Sequence, residues 1–312
     1  MPELPEVETV RRGLERHALG RRITAVELIH PGVIAGACRN FAPAVRGGRI
    51  DAVERKGKVL AIRFAPSQQK APLYLVVRLG MTGQFLVVPR AEPLKPHTHL
   101  RLILDEGAME IRYRDVRRFG RLRCATRAQL DEIFSGLGPD AREITGEQFL
   151  QALCGRTAPI KSWLINQRFL AGIGNIYADE SLFAARIHPR TPAGRLSLPA
   201  ARRLHRAVQR VLDRAVAFQG TSFRDYRDAE GRMGRFWEKL RVYQRTGEPC
   251  RRCRRPVHRI VVGGRSTHFC PHCQPRPRST AAPRRKRPDE HTGQGAHLMS
   301  SDLNVVTGSF SR

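Results

Sequence analysis

Residues 250–273 read CRRCRRPVHRIVVGGRSTHFCPHC, and the spacing inside this stretch decides the C-terminal fold. Cys250-x-x-Cys253 and Cys270-x-x-Cys273 stand sixteen residues apart, the pattern of a closed four-thiolate zinc site. Between the pairs, residues 258–262 and 265–269 are β-prone runs around Gly263-Gly264, which predicts a hairpin with a two-residue turn. Arg265 then falls at the tip. A guanidinium there reaches phosphate or a base edge, or else is one exposed arginine among many. A catalytic zinc is the other reading, because Pro249-Cys250-x-x-Cys253 echoes half of the zinc deaminase signature. No histidine here has glutamate two residues on, and four thiolates leave no position for water, so one structural Zn²⁺ is expected.

Moving toward the N-terminus, the apolar period is helical from about Leu130 to Gly220. Residues 158–167 and 176–185 predict two short helices joined by residues 168–175. Ser197 caps a longer helix with Pro199 in its first turn, and Leu204, Val208, Val211, Leu212 and Ala215 form its stripe up to Gly220. Gly172-Ile173-Gly174-Asn175, at a helix start, is a candidate phosphate cradle. From Arg21 to about Thr126 the runs are short and β-rich: residues 23–26, 59–62, 74–77, 85–88, 100–104 and 109–111. They predict a sandwich or barrel of antiparallel strands fronted by a first helix carrying Val7, Val10, Leu14 and Ala18. From Gln274 onward Pro, Arg, Ser and Gly dominate, which predicts a disordered basic tail.

The 312 residues carry 56 Lys and Arg against 28 Asp and Glu, a formal charge of +28 that points to a polyanionic partner. Arginine outnumbers lysine 49 to 7, which base composition alone can produce, but the shortage of acid is harder to set aside. No apolar stretch is long enough to span a bilayer, and the acidic, proline-punctuated start is unlike a signal peptide. A cytoplasmic location follows, and with it a reading of the seven cysteines as metal ligands and a few buried thiols rather than disulfides.

The chain begins Met1-Pro2-Glu3-Leu4-Pro5-Glu6. Removal of Met1 ahead of a residue as small as proline leaves Pro2 as a secondary amine. With an α-amino pKa of about 8, part of it is neutral and nucleophilic near neutral pH. Glu3 and Glu6 put carboxylates beside it. The same residues also suit the first turn of an ordinary helix.

Five segments in order resemble the bacterial formamidopyrimidine-DNA glycosylases: residues 2–9, 79–83, 115–120, 171–180 and the zinc module. The resemblance covers residues 1 to about 274. It implies an α+β fold: an N-terminal antiparallel β-sandwich fronted by a helix (1–134), a helix–two-turn–helix domain (135–238) and a C-terminal β-hairpin zinc finger (239–274), before the tail (275–312). It also implies base-excision repair by a bifunctional glycosylase and AP lyase acting on 8-oxoguanine and ring-opened purines. The partner it implies is damaged double-stranded DNA, with no membrane and no nucleotide cofactor, and a monomer at the nucleoid is expected.

On this resemblance Pro2 attacks C1′ and Glu3 moves protons, with Glu6 as a supporting carboxylate. Lys58 serves the β-elimination and Arg265 the δ-elimination. Met81, Arg117 and Phe119 form the wedge that fills the place of the extruded nucleotide; on pattern alone Met81 and Phe119 would be core residues. His97, Arg156, Asn175 and Arg78 match DNA contacts. Arg78 stands where relatives often carry histidine, and Thr157 where lysine is common. Residues 222–236 fall in the region that covers the extruded base. The nearest alternative is the endonuclease VIII-like branch for oxidised pyrimidines, where glycine is common in place of Leu4. A non-catalytic DNA-binding protein on the same scaffold would need to have lost Pro2, Glu3 or Lys58.

Overall fold

The computed structural model describes residues 2–35, 41–65, 71–105, 107–223 and 225–276. The expectations for Met1 and for the tail beyond residue 276 lie outside that range. Helix α1 (Leu4–Ala18) is followed by strand β1 (Ile23–Leu28), β2 (Ile34–Ala35), a short α2 (Phe41–Val45) and then β3 (Arg49–Lys56), β4 (Val59–Ala65) and β5 (Leu73–Arg78). Strands β6 (Gly83–Pro89), β7 (Thr98–Leu104), β8 (Met109–Asp115) and β9 (Arg121–Ala125) complete two sheets. One sheet has the order β1-β7-β8-β6 and the other β2-β9-β5-β4-β3; every pairing is antiparallel except β2 with β9.

A sandwich, not a barrel, results. Phe85, Leu100, Leu102 and Tyr113 of one sheet share a core with Leu60, Ile62, Leu75 and Leu122 of the other, closed by Val7, Val10 and Leu14 of α1. The outer face of the five-stranded sheet is covered too: Ala61, Tyr74 and Val76 pack on Leu130 of α3 (Arg127–Ser135). Burial on both faces explains why β4 and β5 read as continuous apolar runs.

Helices α4 (Gly146–Leu153), α5 (Ile160–Ile165), α6 (Asn175–Ala185) and α7 (Leu198–Ala217) build a second core around Phe149, Trp163, Leu182 and Leu212. Leu4 of α1 inserts into it, so the first helix belongs to both cores. Nearly every residue of α6 is buried, which makes it the central helix. Ser197 occupies the N-cap of α7 as expected, but its side chain makes no capping hydrogen bond. The expected helix over 158–167 is shorter: Pro159 sets its start and the chain leaves the helix at Asn166.

Strands β10 (His258–Val262) and β11 (Arg265–Phe269) pair in the expected hairpin, with Val262 opposite Arg265. Both turn glycines have positive φ, +56° and +71°, as a tight two-residue turn requires. One cysteine expectation is corrected: Cys124 on β9 is disulfide-bonded, whereas Cys154 is an exposed thiol. Compartment reasoning is blind to which sulfurs a fold brings within bonding distance.

Candidate active site

The site is assembled at the start of α1. Glu3 is its N-cap, and the Glu3 N–H donates to Glu6 Oε2 at 2.7 Å. The Glu3 carboxylate faces the start of α6, where it accepts from the N–H groups of Gly174 (2.6 Å) and Ile176 (2.9 Å). Tyr177 N–H is a longer third donor at 3.4 Å. The glycine loop therefore does bind an anion at a helix start, but the anion is the protein's own carboxylate rather than a phosphate. That corrects the cradle reading and explains Gly174, where a Cβ would lie 2.5 Å from Glu3 Oε1 and 2.6 Å from Lys58 Nζ.

Glu6 lies behind, buried. It accepts from the Tyr177 hydroxyl and from Thr221 N–H at 2.7 Å, so it joins α1 to α6 and to the segment after α7. Burial and the neighbouring Glu3 push the Glu6 carboxyl up, against the lowering effect of these donors.

Lys58 sits in the two-residue turn between β3 and β4, and that turn packs on the glycine loop. A Cβ on Gly57 would come within 2.8 Å of Ala171 Cβ, and Gly57 N–H donates to Asp140 Oδ2 at 2.8 Å. Burial lowers the Lys58 ammonium below the ordinary lysine range; Glu3 and Glu6 oppose this, and Arg265 adds to it. Arg265 projects from the finger tip, exposed, into the same space. Its hairpin is docked on the helical part through buried groups: Lys161 Nζ lies 2.6 Å from Asp179 Oδ1, and His268 N–H donates to Asp179 Oδ2 at 2.8 Å.

A cavity of about 640 Å³ is lined by Pro2, Glu3, Lys58, Asn175 and Arg265 and also by Arg78, Met81 and Phe119. Asn175 Oδ1 is buried there without a hydrogen-bond partner. Eight of the twelve predicted catalytic and DNA-binding residues thus converge. Of the other four, Glu6 is behind the wall, and the Arg117 guanidinium covers the Phe119 ring at 4.6 Å. His97 sits in the strained left-handed region at φ 65°, exposed, and its carbonyl accepts from Asp115 N–H. Arg156 lies over Phe169 at 4.6 Å and does not line the cavity.

Met81 and Phe119 are 39% and 52% exposed, which fits tips aimed at a partner rather than core residues. Their loops are held by a residue the sequence reading overlooked. Asp115, fully buried, accepts from Gly120 N–H at 2.7 Å, from the Tyr113 hydroxyl at 3.1 Å and from Thr82 Oγ1. Thr82 Oγ1 in turn accepts from Arg117 N–H at 3.1 Å. Tyr177, Asp140 and the Asp179–Lys161–His268 cluster were overlooked likewise. An acid in an otherwise basic chain was the available signal.

The four finger sulfurs lie within 4.8 Å of one another, with Cys250 Sγ 3.9 Å from Cys273 Sγ and Cys253 Sγ 3.5 Å from Cys270 Sγ. A tetrahedron of about 2.3 Å Zn–S bonds sets its sulfurs about 3.8 Å apart, so these residues fit one structural zinc.

Family models match three parts of the chain: the formamidopyrimidine-DNA glycosylase N-terminal domain over residues 1–122, the H2TH domain of the same glycosylases over 136–227, and a zinc finger found in FPG and IleRS over 247–276. The formamidopyrimidine-DNA glycosylase of Symbiobacterium thermophilum is 44% identical over 294 residues, covering 92% of this chain and 94% of that protein. Among solved structures, wild-type Lactococcus lactis Fpg bound to DNA containing N7-benzyl-Fapy-dG superposes with a TM-score of 0.80 at 33% identity, covering 88% of this chain and all of that one. The same Lactococcus lactis enzyme with DNA containing an oxidised pyrimidine gives 0.79 at 33% identity and the same coverage.

Proposed function

The chain belongs to the formamidopyrimidine-DNA glycosylase family, and on that premise we propose that it excises oxidised and ring-opened purines through Pro2 and then cleaves the strand. It is a base-excision-repair DNA glycosylase with one structural zinc. The observation that carries the chemistry is the meeting of Pro2, Glu3, Lys58 and Arg265 on one cavity that the exposed Met81 and Phe119 also line.

In this reading, damaged double-stranded DNA lies along the cavity and the damaged nucleotide is turned out of the stack. Extrusion costs a few kcal/mol, which the insertion of Met81 and Phe119 and the pairing of Arg117 with the orphaned base offset. The neutral Pro2 nitrogen forms a bond to C1′ as the glycosidic bond breaks. The base leaves with a proton, and ring opening of the sugar gives an iminium between Pro2 and C1′. Glu3, oriented by the α6 amides, passes the protons. Loss of a 2′ proton then expels the 3′ phosphate by β-elimination, and a second elimination expels the 5′ phosphate. Lys58 and Arg265 sit beside those phosphates, and water releases Pro2 from the imine. Asn175, Arg78, His97 and Arg156 contact the backbone. Functionally the chain divides at residues 134, 238 and 274, and it works as a monomer in the cytoplasm, on the nucleoid.

Borohydride trapping on a duplex with 8-oxoguanine opposite cytosine tests this. The Met1-free protein becomes covalently attached, and Pro2→Gly attaches far more slowly. Absence of any adduct would overturn the Pro2 chemistry, and attachment to oxidised-pyrimidine duplexes alone would transfer the specificity to the endonuclease VIII-like branch.

A further inference from the structure

A second cavity, of about 290 Å³, lies between the far end of α6, the face of α7 and the start of the finger. Five cations line it: Arg210 and Arg214 one turn apart on α7, Lys239 and Arg241 on the linker that follows, and Arg252 between the first two zinc ligands. No ion pair neutralises any of the five among the described residues. The carboxylates nearest in sequence are committed elsewhere, Asp213 to Arg142 at 2.7 Å and Glu238 to Arg235 at 3.4 Å. Glu180, the one carboxylate in the lining, is buried and accepts from the N–H groups of Arg241, Val242 and Tyr243 at 2.9–3.0 Å.

Two of the cations are also held in place. Arg252 stacks on Phe183 at 4.7 Å and Lys239 on Phe218 at 5.1 Å, so this part of the concavity is preformed. Five like charges gathered on one concave surface repel one another and raise the local potential for anions. Guanidinium forks favour tetrahedral oxyanions with several acceptor oxygens. The volume is at the small end for ligand sites, room for one or two phosphates without a base and sugar.

We propose that this cavity is a second phosphate-binding site, separate from the lesion cleft. Among the described residues the two cavities share no lining residue, and on α6 their nearest lining residues, Ile176 and Glu180, stand four steps of about 1.5 Å apart, about 6 Å along the helix axis. The phosphate comes either from a stretch of DNA backbone outside the cleft or from a free polyphosphate, and both present the same chemistry to the five cations.

Calorimetric titration of inorganic pyrophosphate into the zinc-loaded full chain tests it. The wild type takes up about one equivalent, and R210A/R214A, both on the exposed face of α7, binds at least ten-fold more weakly. K239A/R252A, which removes two other lining cations, shows the same loss. Zinc chelation by pyrophosphate would affect wild type and R210A/R214A alike and so cannot mimic this difference. Salt-dependent binding of lesion-free duplex separates the sources: a backbone phosphate lost from the site lowers the slope by about 0.9, whereas an unchanged slope with weakened pyrophosphate binding assigns the site to a free anion. No saturable uptake by the wild type, or equal uptake by R210A/R214A, overturns the proposal. Borohydride trapping of R210A/R214A on saturating lesion duplex stays at the wild-type level, so failure here is distinguishable from failure of the Pro2 reading.

Discussion

Glu3 does two things with one carboxylate. It accepts hydrogen bonds from the α6 amides at 2.6 and 2.9 Å, and it faces the cavity beside Pro2. Glu3→Gln keeps the shape but removes the group proposed to transfer protons, and the amide's NH₂ cannot accept from the helix. Excision is expected to fall by about 10²–10⁴-fold, the usual share of a general acid–base group, while lesion-duplex affinity holds. Single-turnover release of 8-oxoguanine measures it, and a loss under ten-fold would remove Glu3 from proton transfer. Glu8, one turn further on, shows the contrasting role. Burial raises its carboxyl, but hydrogen bonds from Arg11, Arg55 and Arg12 outweigh burial and hold it at about 2. A folded pKa below the unfolded value of about 4.3 means its stabilisation is complete above that pH and is lost as pH falls toward 2. Urea unfolding of the wild type should therefore weaken more steeply than that of Glu8→Gln between about pH 5 and 2.5. Parallel curves would exclude this carboxylate as a source of acid sensitivity.

At the level of elements, α6 is where the parts meet. Its first amides hold Glu3, Tyr177 holds Glu6, Asp179 holds the finger strand through His268, and Glu180 holds the 241–243 segment. The apolar run of α6 and the Gly-Gly hairpin were legible in sequence because periodicity and turn chemistry are local signals. Strand β3 was not, since its sequence RIDAVERK carries charges that Glu8 and Asp140 partner only after folding. Helices α3 and α4 fall in the stretch read as helical from about Leu130 but were not delimited there, although Thr126 with Gln129 and Thr145 with Gln148 form capping boxes. Asp115 opens the 115–120 motif, yet its job of tying loop 79–83 to loop 115–120 exists only in three dimensions. Asp115→Asn puts an amide donor against Gly120 N–H or Thr82 and leaves a buried group unpaired, at about 1–3 kcal/mol. Rigid wedges matter for extruding a stacked base and little for a site that has no base. The variant should lose excision of 8-oxoguanine at least ten-fold while cleaving a preformed abasic site near the wild-type rate. Equal losses on both substrates would show that Asp115 supports the site generally rather than the wedge.

Across the whole molecule, the active site has no core of its own. It is the seam where the sandwich core, the helical core and the finger core meet, and Leu4 and Val7 of a single helix are planted in two of them. The motifs that line the seam are therefore scattered through the sequence, and their order along the chain was readable while their convergence was not. The finger differs from the other two parts in what holds it together. Its core is small, with Phe183, Val242 and Val257 packed around the cysteines, so the metal supplies most of the cohesion. Structural zinc sites of this kind contribute about 10–16 kcal/mol of apparent folding free energy, far more than three apolar side chains. Cys270→Ser is expected to lose zinc and unfold the hairpin, which removes Arg265 from the cavity. Lesion-duplex affinity then falls, and δ-elimination falls further than base release. Hydrogen exchange should show β10 and β11 unprotected while β4, β5 and α6 keep their protection, because β4 and β5 close cores that contain no sulfur ligand and α6, although its Phe183 touches the finger core, is buried mainly in the helical core. Metal analysis and exchange on the same sample decide it: a variant that keeps both zinc and DNA affinity refutes the structural role, and loss of protection in β4 and β5 would mean that the seam, rather than each core, holds the molecule together.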